Sequence, residues 1–180
     1  MKKIVILDRD GVINLDSPDF IKSPEEWIPI PGSLEAIASL NKAGFEVAIA
    51  TNQSGLARQY YDTATLDRIH QKMHTLLAEH GGKIHAVFFC PHGPDDTCEC
   101  RKPKPGLIYQ IADHFKITLS KEIPCIGDSL RDLEAAETAG CRPILVHTGN
   151  GQKTSEKLSP SLKTIAQYPD LSAAVNALLT

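Results

Sequence analysis

No stretch of this 180-residue chain approaches the roughly 20 consecutive apolar residues that span a bilayer, so no membrane association is expected. The formal net charge is only -3, which leaves no broad basic surface and argues against nucleic acid as a partner. Cysteines are few and odd in number, five in all, so they cannot all pair. The opening MKKIVILDRDG has an apolar run too short for the core of a signal peptide, and it ends in acids without a small-residue cleavage site. A disulfide framework is therefore not expected, and the cytoplasm is the expected compartment. Internal repeats, low-complexity tracts and a linker to a second domain are also missing. What is present, 42% hydrophobic residues, suffices for one core, so residues 1–180 read as a single domain.

The apolar residues fall into alternating strand and helix patterns. KIVILD, from Lys3 to Asp8, is short and rich in β-branched residues, as a strand buried on both faces should be. FEVAIA, IHAVFFC, IPCIG and RPILVH repeat the pattern. Between them, SLEAIASLNKAG and TATLDRIHQKMHTLLAEHGG space apolar residues by three and four and finish in glycine, as helices often do. GLIYQIADHF, RDLEAAETAG and DLSAAVNALL read as further helices. The βαβα order predicts an α/β fold, Rossmann-like, with a mostly parallel sheet between two helical layers and a ligand site beyond the carboxyl ends of the strands. Two insertions interrupt it, Arg9 to Gly32 and the cysteine-rich stretch after the third strand. Neither amounts to a large cap domain, so a fairly open pocket is expected. TGNGQKTSEKLSPS reads as a polar surface loop, and Trp27 as an exposed side chain anchoring a loop or a partner.

Four motifs sit at predicted strand ends. In DRDGV, Asp8 and Asp10 would repel unless a divalent cation neutralises one and the other can hold a proton, which would pair a nucleophile with an acid/base. Two acids that merely end a strand in a solvated loop are the plain alternative. TNQSG offers the Thr51 hydroxyl and backbone N–H groups to phosphoryl oxygens, or is a helix-capping turn. In RKPKPG, Lys102 could neutralise a transferring phosphoryl group and Arg101 could clamp a second anion, while Lys104 reads as a solvated charge. GDSLRD places Asp128 where an oxygen-rich Mg²⁺ site could be completed with Asp8. Asp132, one turn on, reads equally as a helix N-terminal acid.

The stretch FFCPHGPDDTCECRKPKPG gathers Cys90, His92, Cys98 and Cys100 as C-x-H-x5-C-x-C, a loop over residues 90–100 with the soft ligands that zinc takes in a closed tetrahedral site. A metal-closed loop just before Arg101 and Lys102 would restrict their freedom, which makes Zn²⁺ a brace for the phosphate site. Cys125 and Cys141 read as small buried side chains. His70, His74, His80, His85, His114 and His147 carry no paired motif and read as surface or helix residues.

Taken in order, DRDGV, TNQSG, RKPKPG and GDSLRD resemble the haloacid dehalogenase superfamily of phosphatases over about residues 1 to 150. The resemblance implies that Asp8 forms an aspartyl-phosphate, that Asp10 protonates the leaving alcohol and then activates water, and that Thr51 and Lys102 steady the phosphoryl group. It also implies Mg²⁺ held by the Asp8 carboxylate, the Asp10 backbone carbonyl and Asp128. One departure is that Val12, not threonine, follows Gly11. The zinc loop, the first insertion and TNQSGLAR are similar to the D-glycero-D-manno-heptose 1,7-bisphosphate 7-phosphatases, enzymes of ADP-heptose and lipopolysaccharide core or related heptose biosynthesis. That similarity implies a sugar phosphate lined by Asp16, Ser17, Pro18, Asp19, Thr51, Asn52, Gln53 and Ser54, with Arg101, Lys102 and Ser129 also in contact, and a monomer as the working state. Ser129 departs from the lysine the family often carries there.

Histidinol-phosphate phosphatases share the zinc loop and the CRKPK run, so they are the nearest alternative. A phospho-accepting receiver domain is an alternative of another class, but it suits neither the acidic pair closing the first strand nor the cysteine-rich insertion. A zinc-organised binding module would leave DRDGV and GDSLRD without a purpose.

Overall fold

The structure, a computed structural model, describes residues 2–180. Its centre is one six-stranded sheet formed by β1 (Lys3–Leu7), β2 (Phe45–Asn52), β3 (Ala86–Cys90), β4 (Pro124–Gly127), β5 (Arg142–Val146) and β6 (Ala166–Tyr168). The strand order is β3-β2-β1-β4-β5-β6, and every neighbouring pair is parallel.

Alternation along the strands explains the two helical layers, because successive side chains leave a strand on opposite faces. Val5 and Leu7 of β1 pack with Val47 and Ile49 of β2 under α1 (Ser33–Lys42), α2 (Thr63–Glu79) and α6 (Leu171–Leu179). Ile4, Ile6, Ala48 and Ala50 face the other way, against α3 (Gly106–Phe115) and α4 (Leu130–Thr138). The predicted strands and long helices are therefore found, in a three-layer arrangement, and the sheet is wholly parallel. Among the described residues, no helix is long and apolar enough to cross a membrane.

Three expectations need correction. The TGNGQKTSEKLSPS segment is not simply a surface loop, because it contains a short helix, α5 (Gly151–Ser155), with Gly151 and Thr154 buried. Leu158 and Leu162 then tuck against Leu133 and Leu145. β6 went unread because AQY has no apolar run, and its place comes from pairing with β5. Trp27 is fully buried in the core with Val12, Ile13 and Ile21, so it fastens the first insertion inward. Lys72 of α2 helps, donating to the carbonyls of Pro24 at 2.7 Å and Trp27 at 2.8 Å.

Strand order positions the chemistry. The chain runs outward from β1 in both directions, so the crevice between the ends of β1 and β4 is the switch point where α/β sheets bind ligands. Leu7 stands beside Ile126 in register, which puts Asp8 and Asp128 just past adjacent strand ends.

Candidate active site

At that crevice Asp8, Asp128 and Asp132 bring carboxylate oxygens within 4.8 Å of one another. Gly11 makes the crowding possible. Its φ of +82° is one that L side chains avoid, and a Cβ there would overlap the Asp128 carboxylate. Lys102 supplies the compensating charge, since its ammonium donates to Asp8 Oδ1 at 3.0 Å, Asp132 Oδ1 at 2.6 Å and the Ala50 carbonyl at 2.6 Å. All three of its donors are used. Although burial alone would lower its pKa, the two carboxylates raise it.

One ammonium cannot offset three acids. Burial and the Asp132 charge push Asp8 up to about 7 against the opposing pull of Lys102. Burial and the Asp8 charge push Asp128 up to about 8. Asp132 is already committed, with Oδ1 on Lys102 and Oδ2 accepting from the Ser129 N–H at 3.0 Å and hydroxyl at 2.7 Å. This capping box makes Asp132 both the helix N-terminal acid read from the sequence and the partner that aims Lys102. Asp8 and Asp128 are left as a pair of under-neutralised oxygen donors, which suits a hard divalent cation. Asp128 Oδ2 accepts from the Asn150 backbone N–H at 2.7 Å, and the Thr154 hydroxyl donates to its carbonyl at 2.8 Å. The late loop thus orients the second acid.

Asp10 is set differently. Arg9, fully buried, forks onto it with contacts of 2.9 to 3.1 Å, while Asn14 donates to Oδ1 at 2.9 Å and Gln53 to Oδ2 at 3.0 Å. Burial pushes this carboxyl up, but the Arg9 charge and these hydrogen bonds outweigh it and hold the pKa below the usual range. Behind Arg9 stands His70 of α2, whose Nε2 lies 3.1 Å from Nη1. Burial and the Arg9 charge lower His70 to about 3, so it is neutral and accepts the bond. Tyr61 donates to Gln53 Oε1 at 2.6 Å, completing the set. Sequence reading missed Arg9, His70 and Tyr61, because nothing local joins His70 to Arg9, 61 positions away.

A cavity of about 300 Å³ opens onto these groups. Of the residues read from the sequence, Asp8, Asp10, Asp16, Ser17, Thr51, Asn52, Gln53, Ser54, Arg101, Lys102, Asp128 and Ser129 line it. Pro18 and Asp19 do not. They sit exposed on a turn in which Asp19 N–H donates to the Ser17 hydroxyl at 3.1 Å, and that turn carries Phe20 and Ile21 inward instead. Arg58, Pro94, Arg131 and Asn150 are further lining residues without a signal in the sequence.

The cysteine loop lies beside this cavity. Cys90 Sγ is 3.5 Å from His92 Nδ1 and 3.8 Å from Cys98 Sγ, and Cys100 Sγ is 3.4 Å from His92 Nδ1. Those separations fit the edges of a tetrahedron with Zn–S bonds of about 2.3 Å, although Cys100 and Cys90 approach each other more closely, at 2.8 Å. Among the described residues this cluster and the Asp8 group are the two candidate metal sites. The loop reaches the cavity through Arg101, whose Nη1 donates to the His92 carbonyl at 3.3 Å, and through Lys102, whose backbone exchanges hydrogen bonds of 3.0 and 3.1 Å with the Asn52 side chain.

Comparison with known proteins agrees with this geometry. A family model described as HAD-hydrolase-like matches residues 99–174. The D-glycero-beta-D-manno-heptose-1,7-bisphosphate 7-phosphatase of Pseudomonas aeruginosa is 54% identical over 99% of this chain and 98% of its own. The enzyme of that name from Bordetella bronchiseptica is 60% identical over 84% of each chain. A crystal structure of D,D-heptose 1,7-bisphosphate phosphatase from B. bronchiseptica, complexed with magnesium and phosphate, superposes with a TM-score of 0.94 at 55% identity over 98% of each chain.

Proposed function

Because the chain belongs to the D-glycero-β-D-manno-heptose-1,7-bisphosphate 7-phosphatase family of haloacid dehalogenase-like hydrolases, we propose that it hydrolyses the C7 phosphate of that bisphosphate with Asp8 as nucleophile. The carrying observation is the Asp8 carboxylate, its side chain 12% exposed to the cavity, set at the switch point between Lys102 and Asp128.

In this reading an Asp8 oxygen attacks phosphorus, the bond from phosphorus to the C7 oxygen breaks, and that oxygen takes a proton from Asp10. Water then attacks the aspartyl-phosphate, giving its proton to Asp10 and releasing inorganic phosphate and the Asp8 carboxylate. Lys102 and the Thr51 hydroxyl steady the phosphoryl oxygens, whose charge is the main thing a phosphatase must manage. Arg9, Asn14 and Gln53 keep resting Asp10 a carboxylate, the form the second step uses. An arriving phosphate raises its proton affinity by like-charge repulsion, which readies it for the first. Mg²⁺, held by Asp8, the Asp10 carbonyl and Asp128, supplies charge neutralisation at the phosphoryl oxygens.

Proton linkage gives the metal site a test. A carboxyl whose folded pKa is raised stabilises the metal-free protein below its unfolded value of 3.8 and loses that contribution as pH rises through 7 to 8, the folded values of Asp8 and Asp128. A cation needs both groups ionised, so Mg²⁺ affinity should rise about tenfold or more between pH 6 and pH 8.5. Thermal shift at fixed Mg²⁺ should be correspondingly larger at the higher pH. A shift independent of pH would rule out these two carboxylates as the ligands.

The brace assigned to zinc is checked by chelation. Stripping Zn²⁺ should lower the melting temperature and raise KM more than it lowers kcat, since it frees Arg101 and Lys102 without removing Asp8. Unchanged melting and turnover, with the metal gone, would refute it.

Substrate identity is decided by kinetics on the α and β bisphosphates and on histidinol phosphate under one set of conditions. The β bisphosphate, after which the relatives are named, should have the highest kcat/KM. Preference for histidinol phosphate by more than about a hundredfold, roughly 3 kcal/mol, would overturn the heptose reading.

A further inference from the structure

We propose that His70 and Tyr61 are positioning residues for proton transfer to the leaving oxygen. His70 holds Arg9, Tyr61 holds Gln53, and those two side chains together aim the Asp10 carboxyl. This rests on the phosphatase reading above, in which Asp10 is the acid.

Neither residue lines the cavity, and each is only 8% exposed, so neither touches the reacting atoms. Both act through an inner pair. Asp10 Oδ1 accepts from Arg9 Nε at 3.0 Å, Arg9 Nη2 at 2.9 Å and Asn14 Nδ2 at 2.9 Å. Oδ2 accepts from Gln53 Nε2 at 3.0 Å and takes only a share of Arg9 Nη2, at 3.1 Å. Three donors fill Oδ1, which leaves Oδ2 to carry the proton. The Gln53 amide also donates to Thr51 Oγ1 at 3.0 Å, so one amide ties the acid to a hydroxyl that steadies the phosphoryl group.

Arg9 and Gln53 keep this geometry only while their far sides are held. Arg9 is fully buried, and among the described residues its Nη1 finds its hydrogen-bond partner in His70 Nε2, at 3.1 Å. A guanidinium can only donate, so Nε2 accepts and the ring is neutral. A carboxylate in that place would draw Arg9 away from Asp10, and a cation would repel it; a neutral acceptor does neither. Gln53 Oε1 accepts from the Tyr61 hydroxyl at 2.6 Å and from Arg9 Nη2 at 3.4 Å, which turns its NH₂ toward Asp10 and Thr51. Gly55 gives the Tyr61 ring its room, because a Cβ there would overlap it. Removing His70 leaves a buried Nη1 without a partner, and Arg9 shifts to satisfy it, taking Asp10 along.

The test uses two substrates that differ in their need for an acid. The C7 oxygen of the heptose bisphosphate must be protonated as it leaves, whereas p-nitrophenolate departs from p-nitrophenyl phosphate unaided. The ratio kcat/KM covers the steps up to that departure, which sets aside the later step where Asp10 acts as base. His70→Leu should lower kcat/KM on the bisphosphate about 30-fold, but on p-nitrophenyl phosphate less than about threefold. Tyr61→Phe keeps the ring and should show the same selectivity at about tenfold, and it carries the test alone where His70→Leu does not fold. His70→Gln, which sets an acceptor oxygen near the place of Nε2, should recover the wild-type value to within about threefold. Equal losses on both substrates, no loss on the bisphosphate, or no recovery in His70→Gln would overturn the positioning role. Asp10→Asn on the same pair separates this from the reading beneath it. Equal losses there would remove Asp10 as the acid and the proposal with it. A selective loss in Asp10→Asn alone would leave that reading standing and overturn only the positioning.

Discussion

Asp8→Asn is expected to lower kcat/KM by at least about 10⁴-fold, because an amide cannot form the acyl phosphate and no neighbouring group can replace it. Asp132 is the nearest other carboxylate with a hydrogen-bonding claim on Lys102, and both its oxygens are engaged. Loss of activity should not come from unfolding. Burial and then the charge of Asp132 raise the Asp8 pKa, and the Asp8 charge in turn adds to the burial that raises Asp128, so removing it relieves the crowding of acids. In metal-free buffer near pH 8 the variant should melt no lower than wild type. Activity lost with stability kept would separate the nucleophile from a merely structural acid. A variant retaining more than a tenth of wild-type kcat/KM would exclude Asp8 from the chemistry.

Lys102→Met should cost both activity and stability. The ammonium is buried and its three donors reach Asp8, Asp132 and the Ala50 carbonyl, so its loss strands two carboxylates and a carbonyl in the interior. Breaking a buried ion pair from one side costs about 3–5 kcal/mol. Proton uptake by Asp8, already raised to about 7, offsets part of that at lower pH. The stability loss should therefore be larger at pH 8.5 than at pH 6, and urea unfolding at the two values checks it. Turnover should fall by about 10³-fold from loss of phosphoryl charge stabilisation. Equal stability to wild type at pH 8.5 would contradict the pairing described here.

The parts of this site legible in the sequence were those fixed by strand ends. A β-branched run that stops at DRDG or GDS announces both the strand and the acid beyond it, and parallel order then brings Asp8 and Asp128 to neighbouring ends. The cysteine loop was legible because its ligand types are close in sequence. Arg9 was not. It lies inside the DRDGV motif, but burial of an arginine depends on partners 44 and 61 positions away, Gln53 and His70, which no local pattern joins to it. Arg58 and Arg131 line the cavity without a local signal for the same reason, since one lies beyond β2 and the other in the first turn of α4. Pro18 and Asp19 fall outside the lining of the cavity although Asp16 and Ser17 are in it, because adjacency in sequence says nothing about which side of a turn faces the cavity. The AQY strand was invisible because an edge position needs little apolar surface, and the TGNG segment looked polar although Thr154 is buried against the Asp128 carbonyl.

The most direct measurement is rapid chemical quench of wild-type enzyme turning over bisphosphate that carries a radioactive label in its C7 phosphate, followed by peptide mapping. A label on the peptide containing Asp8, removable by hydroxylamine and missing from Asp8→Asn, is the expected result. Rapid turnover with no label on that peptide at any quench time, and with inversion of configuration at phosphorus, would contradict the two-step account at its first step.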